Sequence, residues 1–238
     1  MVESKELELD LAPEYYRPFL KIARSVFDDT VYDVVCSALR VAVDQLKGMT
    51  RHDGTPFVTH AINTAIIVIQ EVGLGRNSTV STLLHDVVRL GLMDAEQVGE
   101  RFGKQCVGIL QGLCNISEVD PKVESEQADN FRELIVSYST DPRVILIKLA
   151  DRLEVMRKLD IFPREKRKKK SWESLNLYAQ IAHKLGLYNI KSELEDIALK
   201  YLEPKDYEYI SRRLSETAAE REEFIRAFVK PIEEKMQH

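Results

Sequence analysis

The sequence is poor in everything that punctuates or cross-links a chain. Among 238 residues there are ten glycines, eight prolines and three cysteines. Cys36, Cys106 and Cys114 are odd in number, lie in apolar surroundings and show no C-x-x-C spacing. That excludes a disulfide framework and a zinc knuckle and makes them core residues. Long apolar runs are missing too: residues 61–69, among the longest, contain Asn63 and Thr64 and are too short to cross a bilayer. The first ten residues are acidic where a secretory signal would carry a basic region and an apolar core, so the expected location is cytoplasmic. Net positive charge is absent. At -5 the chain is not one whose main task is wrapping nucleic acid.

What is present is helical periodicity. With little glycine or proline and almost no period-two alternation, the pattern predicts an all-α fold large enough for one big domain or two small ones. Pro13 opens a helix to about Val26, and Asp28 or Asp29 caps a longer one ending near Gly48. A polar segment with a turn at Asp53-Gly54 delivers His60 to an apolar helix over residues 61–72. Gly73 and Gly75 stop it, and Ser78 starts the next. Asp94 with Gln97 forms a capping-box pattern for a short helix ending near Gly103, and another follows from about Lys104 to Asn115. Residues 116–127, polar and acidic with Pro121, are expected to form the longest loop, ahead of a helix through Phe131, Leu134 and Ile135. Asp141-Pro142 opens a helix that is apolar nearly all round in its first half. Two amphipathic helices, 172–185 and 190–202, and a long charged helical pattern over 205–237, interrupted by Pro231, close the chain.

Three features carry chemistry. In residues 78–90, S-T-V-S-T-L-L-H-D-V-V-R-L, His85-Asp86 sets a nitrogen and an oxygen ligand into a buried helix, which suits a divalent ion. The alternative is a helix-end histidine bonded to backbone. Asp151 sits amid Leu149, Ala150 and Leu153, where a carboxylate must be paired, hydrogen-bonded or bound to metal. The run R-E-K-R-K-K-K over residues 164–170 could contact phosphates of a nucleotide, of RNA or of a neighbouring domain, or be a solvated connection between helices.

With His60, His85-Asp86 and Asp151 in the order H…HD…D, the sequence resembles the HD-domain metal phosphohydrolases. The segments G-T-P-F-V-T-H, S-T-L-L-H-D-V-V, R-V-I-L-I-K-L-A-D-R-L, L-Y-A-Q-I-A-H-K-L-G-L and K-S-E-L-E-D-I-A-L-K-Y-L-E-P are similar to the N-terminal hydrolase domain of long RelA/SpoT-type enzymes of guanosine tetraphosphate (ppGpp) metabolism, over roughly residues 32–207. The resemblance implies an HD-type helical bundle that removes the 3′-pyrophosphate of ppGpp, the stringent-response nucleotide, with Mn²⁺ or another divalent ion. It implies His60, His85, Asp86 and Asp151 as metal ligands, and Arg51, His52, Val155 and Lys158 as nucleotide-pocket positions. Residues 1–203 would be the HD domain and 204–238 a helical extension toward a synthetase domain that this chain lacks.

The departures from that pattern bear on activity. Hydrolase-competent relatives read H-D-x-x-E-D, and here Arg89 and Leu90 occupy the E-D positions, so the general base is expected to be lost. Val155 replaces an Asn, Lys158 a Thr and His52 a Lys. The expected function is a hydrolase-inactive domain regulating a GTP pyrophosphokinase synthetase, with guanine nucleotide as a ligand and neither membrane nor nucleic acid as a partner. The alternatives are an active Mn²⁺-dependent ppGpp or nucleotide 3′-pyrophosphohydrolase using a substitute base such as Glu154, and a non-catalytic helical interaction module.

Overall fold

A computed structural model describes residues 8–117 and 141–236, and among them the fold is all-α, with one isolated bridge between Thr50 and Pro56. The helices are α1 (Pro13–Val26), α2 (Asp29–Gln45), α3 (Val58–Gln70), α4 (Arg76–Arg89), α5 (Ala95–Phe102) and α6 (Gln105–Ser117). After residue 141 come α7 (Pro142–Arg157), α8 (Arg164–Glu173), α9 (Ala179–Lys184), α10 (Tyr188–Leu202), α11 (Pro204–Glu216) and α12 (Ala218–Met236).

The capping signals act where the sequence puts them. Asp28 accepts from the Val31 amide, Asp141 from the Arg143 amide, and Asp94 with Gln97 closes the capping box of α5. Elsewhere the boundaries move. Helix α3 begins at Val58 rather than at residue 61, so His60 lies in its first turn. Helix α4 begins at Arg76, before Ser78. The basic run is no connection: residues 164–170 form most of α8, which leads through a π-helical turn, Ser174–Tyr178, into α9. The charged C-terminal pattern is two helices broken at Thr217, and Pro231 lies inside the second. The loop expected over 116–127 begins with the last residues of α6, and its remainder, like the helix through Phe131, lies outside the described residues.

Two hydrophobic cores share α3 and α6. Ile62, Ala65 and Ile69 of α3 face the first, built on α1, α2 and α4 with Phe19, Leu39 and Leu84 fully buried. Ile67 and Val68 face the second, where α7, α9 and α10 bring Leu149, Leu153, Ile181 and Leu194 together. Each fully buried side chain of this size contributes about 1.5–3 kcal/mol. Helices α3, α4 and α7 therefore meet between two packed halves. Helix α4 ends in a Schellman motif, with the Leu92 amide bonded to the Val87 carbonyl and the Gly91 amide to that of Val88. Gly91 has φ 69°, and this stop fixes the end of the helix that carries His85 and Asp86.

Helices α6 and α7 approach closely at Gly112, where an added Cβ would lie 2.7 Å from Cγ2 of Val144. Alanine is ordinarily the better helix former by about 1 kcal/mol, but Val144 is buried and stiff at χ1. We expect the clash to win. Gly112→Ala should lower unfolding stability in urea by about 1–2 kcal/mol, and its cost should shrink in a Val144→Ala background. A neutral or stabilising Gly112→Ala would contradict this contact.

Candidate metal centre

The centre is a pocket of about 380 Å³ between the two halves. Its floor comes from three elements already placed: His60 on the first turn of α3, His85 and Asp86 near the end of α4, and Asp151 on α7. A tight loop before α3 supplies the wall. There the Arg51 amide bonds the Thr55 carbonyl at 2.8 Å, and Asp53 accepts from the Thr55 amide and hydroxyl. The sequence pattern thus puts Arg51 and His60 on opposite sides of one short turn.

One ligand atom from each of His60, His85 and Asp86 lies within 4.8 Å of the others. Asp151 reaches the group through His60, with Oδ1 2.8 Å from Nε2. Each histidine is oriented by its second nitrogen. Nδ1 of His85 donates to the Thr82 carbonyl at 2.6 Å, so the backbone-bonded reading of this residue also holds, and Nε2 is left toward Asp86 at 3.5 Å. Nδ1 of His60 is 2.6 Å from Glu154 Oε2, and Glu154 in turn is held by both Nη atoms of Arg51, at 2.6 and 3.2 Å. Arg51 and Glu154 are buried, so neither charge could stand there alone.

The electrostatics follow from these pairs. Burial opposes charge on His60, but the Asp151 and Glu154 carboxylates outweigh it and push its pKa up to about 10. Burial pushes the pKa of His85 down, against the pull of Asp86 and Asp151. Burial would raise Asp86, Asp151 and Glu154, yet their histidine and basic neighbours hold all three below the ordinary carboxylate range: His85, His60 and Arg89 for Asp86, Lys148 and His60 for Asp151, and His60 and Arg51 for Glu154.

These residues fit a divalent ion. Oδ2 of Asp86 is buried with no hydrogen-bond partner, and His85 is neutral with its other nitrogen engaged, which is the state a metal ligand needs. A mixed nitrogen and oxygen set suits a hard or borderline cation. Oδ1 of Asp86 is already taken: Arg89 binds it through Nε at 2.9 Å and Nη2 at 2.5 Å.

Of the expected nucleotide positions, Arg51, His52 and Val155 line the pocket, with His52 edge-on to Phe162 at 5.4 Å. Lys158 caps the C-terminus of α7, exposed and not among the lining residues. Arg89 lines the pocket, whereas Leu90 is 41% exposed beyond it. Sequence reasoning missed Lys148, which lines the pocket 3.3 Å from Asp151. The signal was there, a lysine one turn before Asp151 in an otherwise apolar stretch.

A model of the HD domain matches residues 38–188, which is most of the chain. The chain belongs to the HD-domain family. Within it, the sequence is related to the SpoT/RelA group. It is 40% identical over 181 residues to an Aquifex aeolicus protein named guanosine-3′,5′-bis(diphosphate) 3′-pyrophosphohydrolase, covering 76% of this chain and 26% of that protein. It is 34% identical over 201 residues to the Escherichia coli bifunctional (p)ppGpp synthase/hydrolase SpoT, covering 84% and 28%, and 33% identical over 220 residues to a Myxococcus xanthus GTP pyrophosphokinase, covering 91% and 28%. The chain spans about a quarter of the length of these relatives. A solved structure described as a metazoan orthologue of SpoT that hydrolyses ppGpp shares the fold, with a TM-score of 0.50 at 24% identity over 69% of this chain and 93% of that one. Among the described residues, no helix of this HD domain is long and apolar enough to cross a membrane.

The charge pairs set a pH window for the metal-free protein. Because the folded pKa of His60 lies above its ordinary 6.5, its stabilisation is complete below pH 6.5 and is lost as pH rises toward 10. The depressed carboxylates act oppositely: their stabilisation is present above their ordinary values of 3.8 and 4.5 and is lost as pH falls below them. Urea midpoints in EDTA should therefore fall between pH 6.5 and 10, with a smaller slope in His60→Gln. An equal slope in both proteins would remove the charge on His60 as its cause.

Proposed function

We propose that this HD domain is a degenerate ppGpp hydrolase domain: it holds Mn²⁺ or a similar ion with His60, His85, Asp86 and Asp151, binds guanine nucleotide, and hydrolyses it poorly or not at all. The observation that carries the reading is Arg89, which spends two donors on Asp86 at the position where the resemblance expects a carboxylate. A permanent cation there cannot accept a proton. Glu154, the substitute considered from the sequence, has both oxygens engaged by Arg51 and His60 and is 2% exposed. It is a positioning residue.

The remaining side chains fit a binding role. Glu154 holds the Arg51 guanidinium against the pocket wall, which lowers the cost of ordering it on a nucleotide. Lys148, Arg89 and His52 add cationic or donor groups to the lining, and Val155 presents an apolar surface where the resemblance expects an amide. A bound divalent ion would supply Lewis-acid stabilisation of charge on phosphoryl oxygens. His60 and Asp151 hold one side of that site, His85 and Asp86 the other. The E. coli relative is named as both synthase and hydrolase, so in a longer chain a nucleotide-binding domain without hydrolysis would act as a regulator of synthesis. The competing reading, an active pyrophosphohydrolase, draws support from the name of the Aquifex relative.

Two measurements separate these readings. Arg89→Ala frees Oδ1 of Asp86 and removes a nearby cation, so Mn²⁺ should bind about tenfold more tightly than to wild type, by calorimetry. Unchanged affinity would mean Arg89 does not compete with the ion. With Mn²⁺, wild type should hydrolyse ppGpp about 10²–10⁴-fold more slowly than the Aquifex enzyme, the worth of a positioned base. Arg89→Glu with Leu90→Asp should recover part of the rate, most of it from position 89 because Leu90 lies outside the pocket. Val155→Asn should add more, and Asp151→Ala should abolish the gain. Robust turnover by wild type would establish the competing reading.

A further inference from the structure

The central pocket does not absorb the basic run on α8. That run has its own cavity. Arg164, Arg167 and Lys168 from α8 face Lys200 and Tyr201 at the end of α10 across a groove of about 430 Å³, edged by Leu202 and Pro204. It shares no lining residue with the central pocket, and no carboxylate lines it.

We propose that this groove is a second binding site, for a small ligand carrying two or more phosphoryl groups. Three observations support it. The guanidinium of Arg167 lies 5.8 Å and the ammonium of Lys200 5.7 Å from the centroid of one ring, that of Tyr201, so two helices bring like charges to the same ring. Like charges gathered along one groove make a positive potential that an anion fits. Second, none of the four cations makes an ion pair within 4 Å with a carboxylate among the described residues, unlike Arg51, Arg152 and Arg157 elsewhere in the domain. Third, Arg167 lines the groove, and its Nε is buried with no hydrogen-bond partner in a half-buried side chain, so this donor is uncompensated among the described residues.

The shape favours a compact ligand over an extended one. The groove is of the size that holds small molecules, and beside its Pro204 stand exposed Glu203 and, past Lys205, exposed Asp206. A long polyanion leaving the groove by this end would meet Glu203. A di- or triphosphate would end before it.

The probe is inorganic pyrophosphate, titrated calorimetrically into the 238-residue chain in EDTA, so that the central pocket carries no metal. Wild type should bind saturably, and Lys168→Ala with Lys200→Ala should weaken binding about tenfold or more. Both positions are exposed, so folding, checked by circular dichroism, should be unaffected. Lys21→Ala with Lys104→Ala removes the same charge from exposed positions elsewhere and should leave affinity within about twofold. Arg167→Lys keeps the charge, loses the guanidinium fork and should fall between. Absence of saturable binding, equal weakening by the control pair, or full affinity in the groove variant would overturn the proposal. A short single-stranded RNA that binds more tightly than pyrophosphate and depends on the same two lysines would also overturn it, in favour of nucleic acid.

Discussion

A buried chain of alternating charge, running Arg51, Glu154, His60, Asp151 and Lys148, holds the centre of this molecule together. Each member would be costly in the interior alone, and each inner member is compensated on both sides. The chain ties three separate elements, the loop after α2, the start of α3 and the middle of α7, with bonds whose geometry tolerates little displacement. The loop holds its own shape through short backbone bonds and Asp53, and its one arginine pins it to α7. The orientation of His60 is thereby decided far along the sequence, on α7, rather than by its own helix.

That dependence explains what could be read from the sequence. Caps were legible because a cap is local: Asp28, Asp94 with Gln97, and Asp141 each act within three residues of themselves. The pocket residues His60, His85, Asp86 and Asp151 were legible through their order and apolar setting. The role of Glu154 was not, since nothing local distinguishes a carboxylate that will bind an arginine 103 positions away from one that faces water. The start of α3 was misplaced for a related reason. The polar segment with its turn at Asp53-Gly54 was expected to run up to His60, yet the amides of Thr59 and His60 bond back to the carbonyls of Pro56 and Phe57 and begin the helix early.

The basic run shows a different limit. Composition marks charge but says nothing of what the charges face, and a helix with seven residues of R-E-K-R-K-K-K has no apolar stripe to betray its packing. Its inward side is nevertheless specified, by Arg152 on α7 pairing with Glu173 at 2.9 Å and stacking 4.2 Å from the Tyr178 ring. The π-helical turn between those two residues shifts the register of the following segment, so that Leu177 and Ile181 both reach the second core.

The sharing of α3 between two cores has a consequence for how such a domain changes over generations. Substitutions inside either core alter volumes that neighbours must match, and few are tolerated. The seam between the cores is different: Arg89 and Val155 lie at its mouth, where side chains meet a cavity instead of one another. A lineage can therefore rewrite the chemistry along the seam residue by residue while both scaffolds keep their packing, and loss of an ancestral reaction need leave no trace in the fold.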